Sequence, residues 1–346
     1  MRTSVPTRAV RAHLFLLAGQ FPGTTHADAL ASAHRYGLAA ERSGFDGVWI
    51  AEHHFIPYGV CPSALAFAGH LLGATSRITV GTAAAILSNR HPVALAEEAV
   101  LLDELSGGRF ALGVARGGPW VDLEVFGTGL DRYEHGFGES VELLCRWLSG
   151  ASTVGATGAR FAFRDVPVVP RPRRRVPVWI AATSSPSVAL AARHGLPLLL
   201  GLHADDAEKA ALLTEYAAVA ARHGHDPAGV AHASAHLAHV ADTDEAARDA
   251  VRAALPGLLA GVGAYVRIDG SAPRTPDPEG YLRRLLELHP VGGPRLCRER
   301  LAATVAATGV RHLLLMVEGA GDRAATLENI ARLGAEVIDD LAPTHG

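Results

Sequence analysis

Short apolar runs recur eight times along this chain of 346 residues, and longer Ala- and Leu-rich stretches with helical spacing separate them. The runs fall at 10–17, 46–51, 77–83, 109–115, 177–183, 197–201, 231–240 and 310–317; the helical stretches include 26–43, 62–75, 92–105, 132–149, 185–194, 204–223, 242–254 and 321–340. Short apolar runs alternating with longer amphipathic segments are the pattern of strands joined by crossover helices. Eight such units favour an α/β fold closed as a (β/α)8 TIM barrel over a doubly wound open sheet, and 346 residues suit one barrel domain with insertions. Two insertions are expected. Residues 150–176, with a short hairpin at 160–166 and the charged run PRPRRRVP at 170–177, precede strand 5. Residues 255–294, dense in Pro and Gly, follow strand 7 and read as a mobile loop that covers a site.

In a barrel the reactive groups lie just after the strands, at their C-terminal ends. The second run ends in Ala51, Glu52, His53, His54 and Phe55. A histidine pair beside a carboxylate supplies either a general base of tuned proton affinity or a hydrogen-bonded structural histidine. The fourth run ends in Ala115, Arg116, Gly117 and Gly118, where a guanidinium and close-approaching amides suit an anion. The fifth ends in Thr183, Ser184, Ser185, Pro186 and Ser187 at a helix start, which reads as a phosphate site or as an ordinary N-cap.

Other classes of function are disfavoured. The 32 basic and 35 acidic side chains give a net charge of −3, so no basic excess exists for a nucleic-acid backbone. Cys61, Cys145 and Cys297 are far apart and form no Cys-x-x-Cys, against a zinc ribbon, an iron–sulfur cluster or a disulfide framework. Lys209 is the only lysine, which removes a Walker loop and leaves one candidate for Schiff-base chemistry. No stretch approaches the ~20 apolar residues of a membrane span, and no signal-like run follows Met1, so a soluble cytoplasmic protein is expected. His232, His236 and His239 would share a face on a helix, but this stretch reads as a strand, where His239 points away from the other two. No metal site is expected.

The strand-end motifs sit within longer segments that together carry a family likeness: GFDGVWIAEHHF at 44–55, LGAT at 72–75, VGTAA at 80–84, HPV at 91–93, LLD at 101–103, SGGRF at 106–110, RG at 116–117, VFGT at 125–128, PVG at 290–292 and ATG at 307–309. In order and spacing they resemble the bacterial luciferase-like, flavin-dependent monooxygenases, in particular the catalytic α-type subunits. The resemblance implies a (β/α)8 barrel binding reduced FMN at the strand C-termini, with O2 adding at C4a and the resulting hydroperoxide oxygenating a small organic substrate. It implies phosphate contacts from Arg116, Gly117, Ser184 and Ser187, Glu52 near the isoalloxazine, and a non-prolyl cis peptide at Ala83–Ala84 against the ring. His53, with His54 beside it, matches the catalytic histidine. A separate flavin reductase and a homodimer formed through helices near 62–75 and 92–105 are further implied. Ala115 stands where α-type chains carry a reactive cysteine, a departure that bears on light emission. An F420-dependent oxidoreductase on the same barrel and a non-catalytic flavin-binding subunit are the alternatives, the latter disfavoured by His53 and Arg116.

Overall fold

The computed structural model describes residues 10–271 and 277–341. Eight strands, β1 (Arg11–Leu16), β2 (Gly47–Ile50), β3 (Thr79–Thr82), β4 (Phe110–Ala115), β5 (Val178–Ala182), β6 (Leu198–Leu200), β7 (Ala233–Leu237) and β8 (His312–Met316), lie within the expected runs. Each pairs in parallel with the next, and β8 pairs with β1 in register Arg11↔His312 to Phe15↔Met316, which closes the (β/α)8 barrel. The helices around it are α1 (His26–Arg42), α2 (Ala64–Ala74), α3 (Pro92–Leu105), α4 (Phe137–Trp147), α5 (Ser185–Arg193), α6 (Asp206–Arg222), α7 (Asp244–Leu259), α8 (Pro278–Leu288), α9 (Pro294–Thr308) and α10 (Arg323–Leu333). Their starts follow from local chemistry: Thr25 with Asp28 and Asp205 with Glu208 form reciprocal capping boxes, and Ser63, Thr243 and Asp322 accept from amides in the first turns of α2, α7 and α10.

Side-chain alternation divides the barrel interior into storeys. Trp49 and Trp179 meet edge to face, with centroids 5.1 Å apart, and fill the middle. Gly81 opposite is required, because a Cβ there would stand 2.7 Å from the Trp49 ring. Above the tryptophans, toward the strand C-termini, the inward residues shrink to Ala51, Ala83 and Ala181, with Ala115 at the end of β4. The lining narrows to methyl groups where a barrel enzyme holds its ligand.

Beyond β3 the chain turns through a cis peptide at Ala83–Ala84. Residues Ala85–Ile86 then rejoin the end of β4 opposite Val114 and Ala115. Thr82 bridges the gap, its hydroxyl donating to Gly113 O (2.7 Å) and accepting from Gly113 N (2.9 Å).

The insertion before β5 does contain a hairpin, but it pairs Thr153–Thr157 with Ala162–Pro167, so the stretch 160–166 expected to form a whole hairpin supplies mainly its second arm. The segment after β7 differs from a loop. Helix α7 continues through Pro256 to Leu259, a 3-10 turn covers Ala260–Ala264, and α8 begins with Pro278 in its first turn, where a missing N–H costs nothing. Residues 266–268 run antiparallel to 119–121: Val121 N donates to Val266 O (2.9 Å) and Ile268 N to Pro119 O (3.0 Å). Its residues 272–276 lie outside the described part. Among the described residues no helix is long and apolar enough to cross a membrane, and the three cysteines are unpaired.

Candidate active site

At the end of β2 the chain buries a carboxylate. Glu52 Oε2 accepts from Ala64 N at the start of α2 (3.1 Å) and from Arg90 Nη2 (3.0 Å). Oε1 accepts from Ile86 N (3.1 Å) and faces His54 Nε2 at 3.5 Å. Burial alone would raise the carboxyl pKa, but His54, Arg90 and the two amides outweigh it and hold the group below its usual range. Glu52 is therefore an anion that fastens α2, the cis-peptide segment and Arg90 to the strand end.

The adjacent histidines have separate environments. The sequence places both beside one carboxylate; in the structure His54 faces Glu52, and its ring meets Phe126 edge-on at 5.0 Å. His53 turns toward Tyr58 (5.2 Å, edge to face) while its amide donates to Cys61 O at 3.0 Å. Its Nδ1 is buried with no hydrogen-bond partner, beside Gly59, where a Cβ would come within 2.4 Å of that nitrogen. Burial first, then the neighbouring His54, bring the His53 pKa to about 4 against a partial opposing pull from Glu52. The ring is neutral at pH 7 and able to accept a proton.

A pocket of about 260 Å³ opens here at the barrel mouth, lined by Ala51, Glu52, His53, His54, Ala83, Ala84, Ala115 and Gly117 together with Trp120, Asp122 and Tyr265. Gly117 has φ +80°, and a Cβ on it would meet Ile86 at 2.7 Å, so backbone rather than side chain forms this wall. Arg116 lies over the Tyr133 ring (4.5 Å to its centroid) and makes no ion pair with any described residue. Ser184 occupies the N-cap position of α5, yet its side chain makes no capping hydrogen bond; its Oγ is 3.4 Å from Ser187 Oγ. Since β4 and β5 are hydrogen-bonded neighbours, Arg116 and Ser184 each leave the barrel at the ends of adjacent strands.

Three residues of this end were not anticipated. Asp122 is buried, with Oδ2 accepting from Asn89 Nδ2 (2.7 Å) and Oδ1 left without a partner. Tyr265, from the segment after β7, stacks on Trp120 at 4.4 Å and closes one side of the pocket. Glu318, directly after β8, is buried and accepts from Leu17 N (2.5 Å) and Gly19 N (3.0 Å); burial raises its pKa against those bonds. Glu318 was within reach of the strand-end rule, as the second residue past Met316, but as a single acid with no motif it gave no chemical signal.

The other sequence candidates are dispersed. His232 Nδ1 accepts from Leu198 N (3.1 Å), His236 pairs with Ser234 (2.9 Å), and His239 stands on a strand extension. Among the described residues no group of His, Cys, Asp and Glu converges on a metal position. Lys209 is buried between α6 and β7, donating to Ala235 O at 3.4 Å.

Comparison with known proteins places these features in context. The family described as luciferase-like monooxygenase matches residues 10–312. The alkanal monooxygenase alpha chain of the Kryptophanaron alfredi symbiont is 28% identical over 350 residues, covering 94% of this chain and 97% of that one. Among solved structures, the monooxygenase RslO1 from Streptomyces bottropensis superposes with a TM-score of 0.85 at 21% identity, over 96% of this chain and all (100%) of the other. The oxygenating constituent of 3,6-diketocamphane monooxygenase from Pseudomonas putida, a type II Baeyer–Villiger enzyme in complex with FMN, gives 0.73 at 18%, covering 97% and 99%. An F420-dependent secondary alcohol dehydrogenase gives 0.75 at 17%, covering 95% and 98%.

Proposed function

Because the chain belongs to the luciferase-like monooxygenase family, we propose that it is the oxygenating component of a two-component system, receiving reduced FMN from a separate flavin reductase and oxygenating a small organic substrate with O2. The observation that carries this reading is the floor of the mouth. Ala51, Ala83, Ala84 and Ala115 line this pocket beside a neutral His53 whose Nδ1 has no partner. A planar ring system would rest on these methyl groups, beside a wall at Gly117 where a Cβ would meet Ile86 at 2.7 Å.

Arg116, the amide of Gly117 and the hydroxyls of Ser184 and Ser187, which bond to each other at 3.4 Å, would hold the phosphate, a donor set suited to a dianion. Glu52 would fix the mouth beside the ring without reacting, since its lone pairs are already engaged. Reduced flavin, when bound, supplies the electrons that activate O2. His53 would take a proton at its free Nδ1 and return it. Tyr265 and Trp120 would keep water from that nitrogen. Helices α2 and α3 would pair two copies, because Leu101 and Leu105 stand 50% and 78% exposed on α3.

A second reading is hydride transfer with F420, favoured by the likeness to the F420-dependent dehydrogenase. Aerobic stopped-flow absorbance separates the two. The monooxygenase reading expects tight binding of reduced FMN and O2-dependent turnover, whereas O2-independent reduction of a substrate by reduced F420 would replace it.

A further inference from the structure

A cavity of about 550 Å³ opens at the other end of the barrel, where β1 begins at Arg11 and β8 at His312. Barrel catalysis uses the C-terminal ends, so nothing in the proposed reaction accounts for it. Its walls are apolar at Leu213, Val230 and Val310, and no carboxylate side chain lines it.

Its side-chain cations are Arg11 and Arg311, and neutral donors stand beside them. Arg11 is exposed, and its guanidinium has no hydrogen bond or ion pair with any described residue. His232 accepts the Leu198 amide at Nδ1, and burial lowers its pKa to about 4. The neutral ring therefore carries its hydrogen on Nε2, as a donor. Tyr216 is 1% exposed, and its hydroxyl is buried without an acceptor. Burial raises its pKa to about 12, so it stays an O–H. An orphaned buried donor in a native fold calls for an explanation, and an acceptor bound in the cavity supplies one.

We propose that this cavity is a second ligand site that takes a small organic carboxylate, its anionic end held by Arg11 with Tyr216 and His232 and its short apolar body lying against Leu213, Val230 and Val310. Two arginines, Arg11 and Arg311, line the cavity among neutral donors and suit an anionic end, and the apolar walls favour an alkyl or aryl group over a bare inorganic ion.

Isothermal titration of the full chain with hexanoate tests this, with hexylammonium and inorganic phosphate as comparison probes. The expected result is saturable binding of hexanoate alone, at one site per chain. Arg11→Gln and Tyr216→Phe should each weaken it about tenfold, the loss of one hydrogen bond to a charged acceptor. Tyr216→Phe removes only the orphaned hydroxyl, and an unchanged melting temperature verifies its fold. Arg116→Ala at the opposite mouth should leave the affinity unchanged. Absence of saturable binding, equal binding of phosphate or hexylammonium, equal affinity in Arg11→Gln, or loss of binding in Arg116→Ala would overturn the proposal.

Discussion

Arg90 Nη2 and Glu52 Oε2 lie 3.0 Å apart, with the carboxylate fully enclosed and the guanidinium partly exposed. The pair joins the end of β2 to the loop before α3, and the same carboxylate holds the first turn of α2. Removing the cation while keeping the buried anion is costly. Arg90→Met should lower unfolding free energy by about 2–3 kcal/mol in urea titrations, less than a wholly buried pair because the two amides remain. Arg90→Lys should recover part of it. An unchanged midpoint for Arg90→Met would show that the amides alone suffice.

His53→Ala separates chemistry from binding. If Nδ1 moves a proton during turnover, product formation should fall by roughly 10²–10⁴-fold while flavin affinity stays near the parent value, and the consumed O2 should appear as H2O2. Normal product yield in a well-folded variant would end the catalytic assignment.

Arg116→Ala should weaken reduced FMN by about ten- to a hundredfold, the range for one charge-assisted hydrogen bond, and reduced riboflavin hardly at all. Equal losses for the two ligands would place Arg116 away from the phosphate.

Stability should decline on acidification through the histidines. His53, His232 and His312 are depressed to about 4 and His289 to about 3, mainly by burial, from an ordinary 6.5. Between these values the unfolded chain binds more protons than the folded one. The stabilisation from neutral burial is therefore complete above pH 6.5 and lost as pH falls toward 4. Calorimetric melting at pH 5 should take up about one proton per such histidine, and His53→Asn should remove about one from the total.

Leu105→Glu should convert a dimer to a monomer in light scattering, because it sets a charge on the exposed apolar face of α3. A parent chain that is already monomeric at micromolar concentration would remove the claim.

The barrel was legible because the strands fall in short, mostly apolar runs separated by helical stretches, and each run contains the observed strand. Helix α8 was hidden: Pro276, Pro278 and the surrounding glycines suggest a loop, but Pro278 sits in the first turn, where proline is tolerated. Helix α9 was passed over in the same way, starting at Pro294 immediately after Gly292 and Gly293. Glu52, His53 and Gly117, taken from strand ends, share one pocket with Ala83 and Ala84, which the resemblance alone had singled out. Which imidazole faces Glu52 was not legible, since Gly59 opens the space for His53 from a separate turn. Tyr265 reaches the pocket from a segment more than a hundred residues downstream of Trp120, and sequence carries no local trace of that stacking.

The methyl-floored mouth has a consequence for precision. Alanine has no side-chain torsion, so Ala51, Ala83 and Ala115 offer a surface that cannot rearrange when something settles on it, while Trp49 and Trp179 brace it from below. Seating a ligand there freezes no rotamers in the floor, and its height is set by backbone alone. Enlarging one floor residue, as in Ala115→Val, would act as a shim, tilting whatever rests on it toward the opposite wall while leaving the barrel beneath undisturbed.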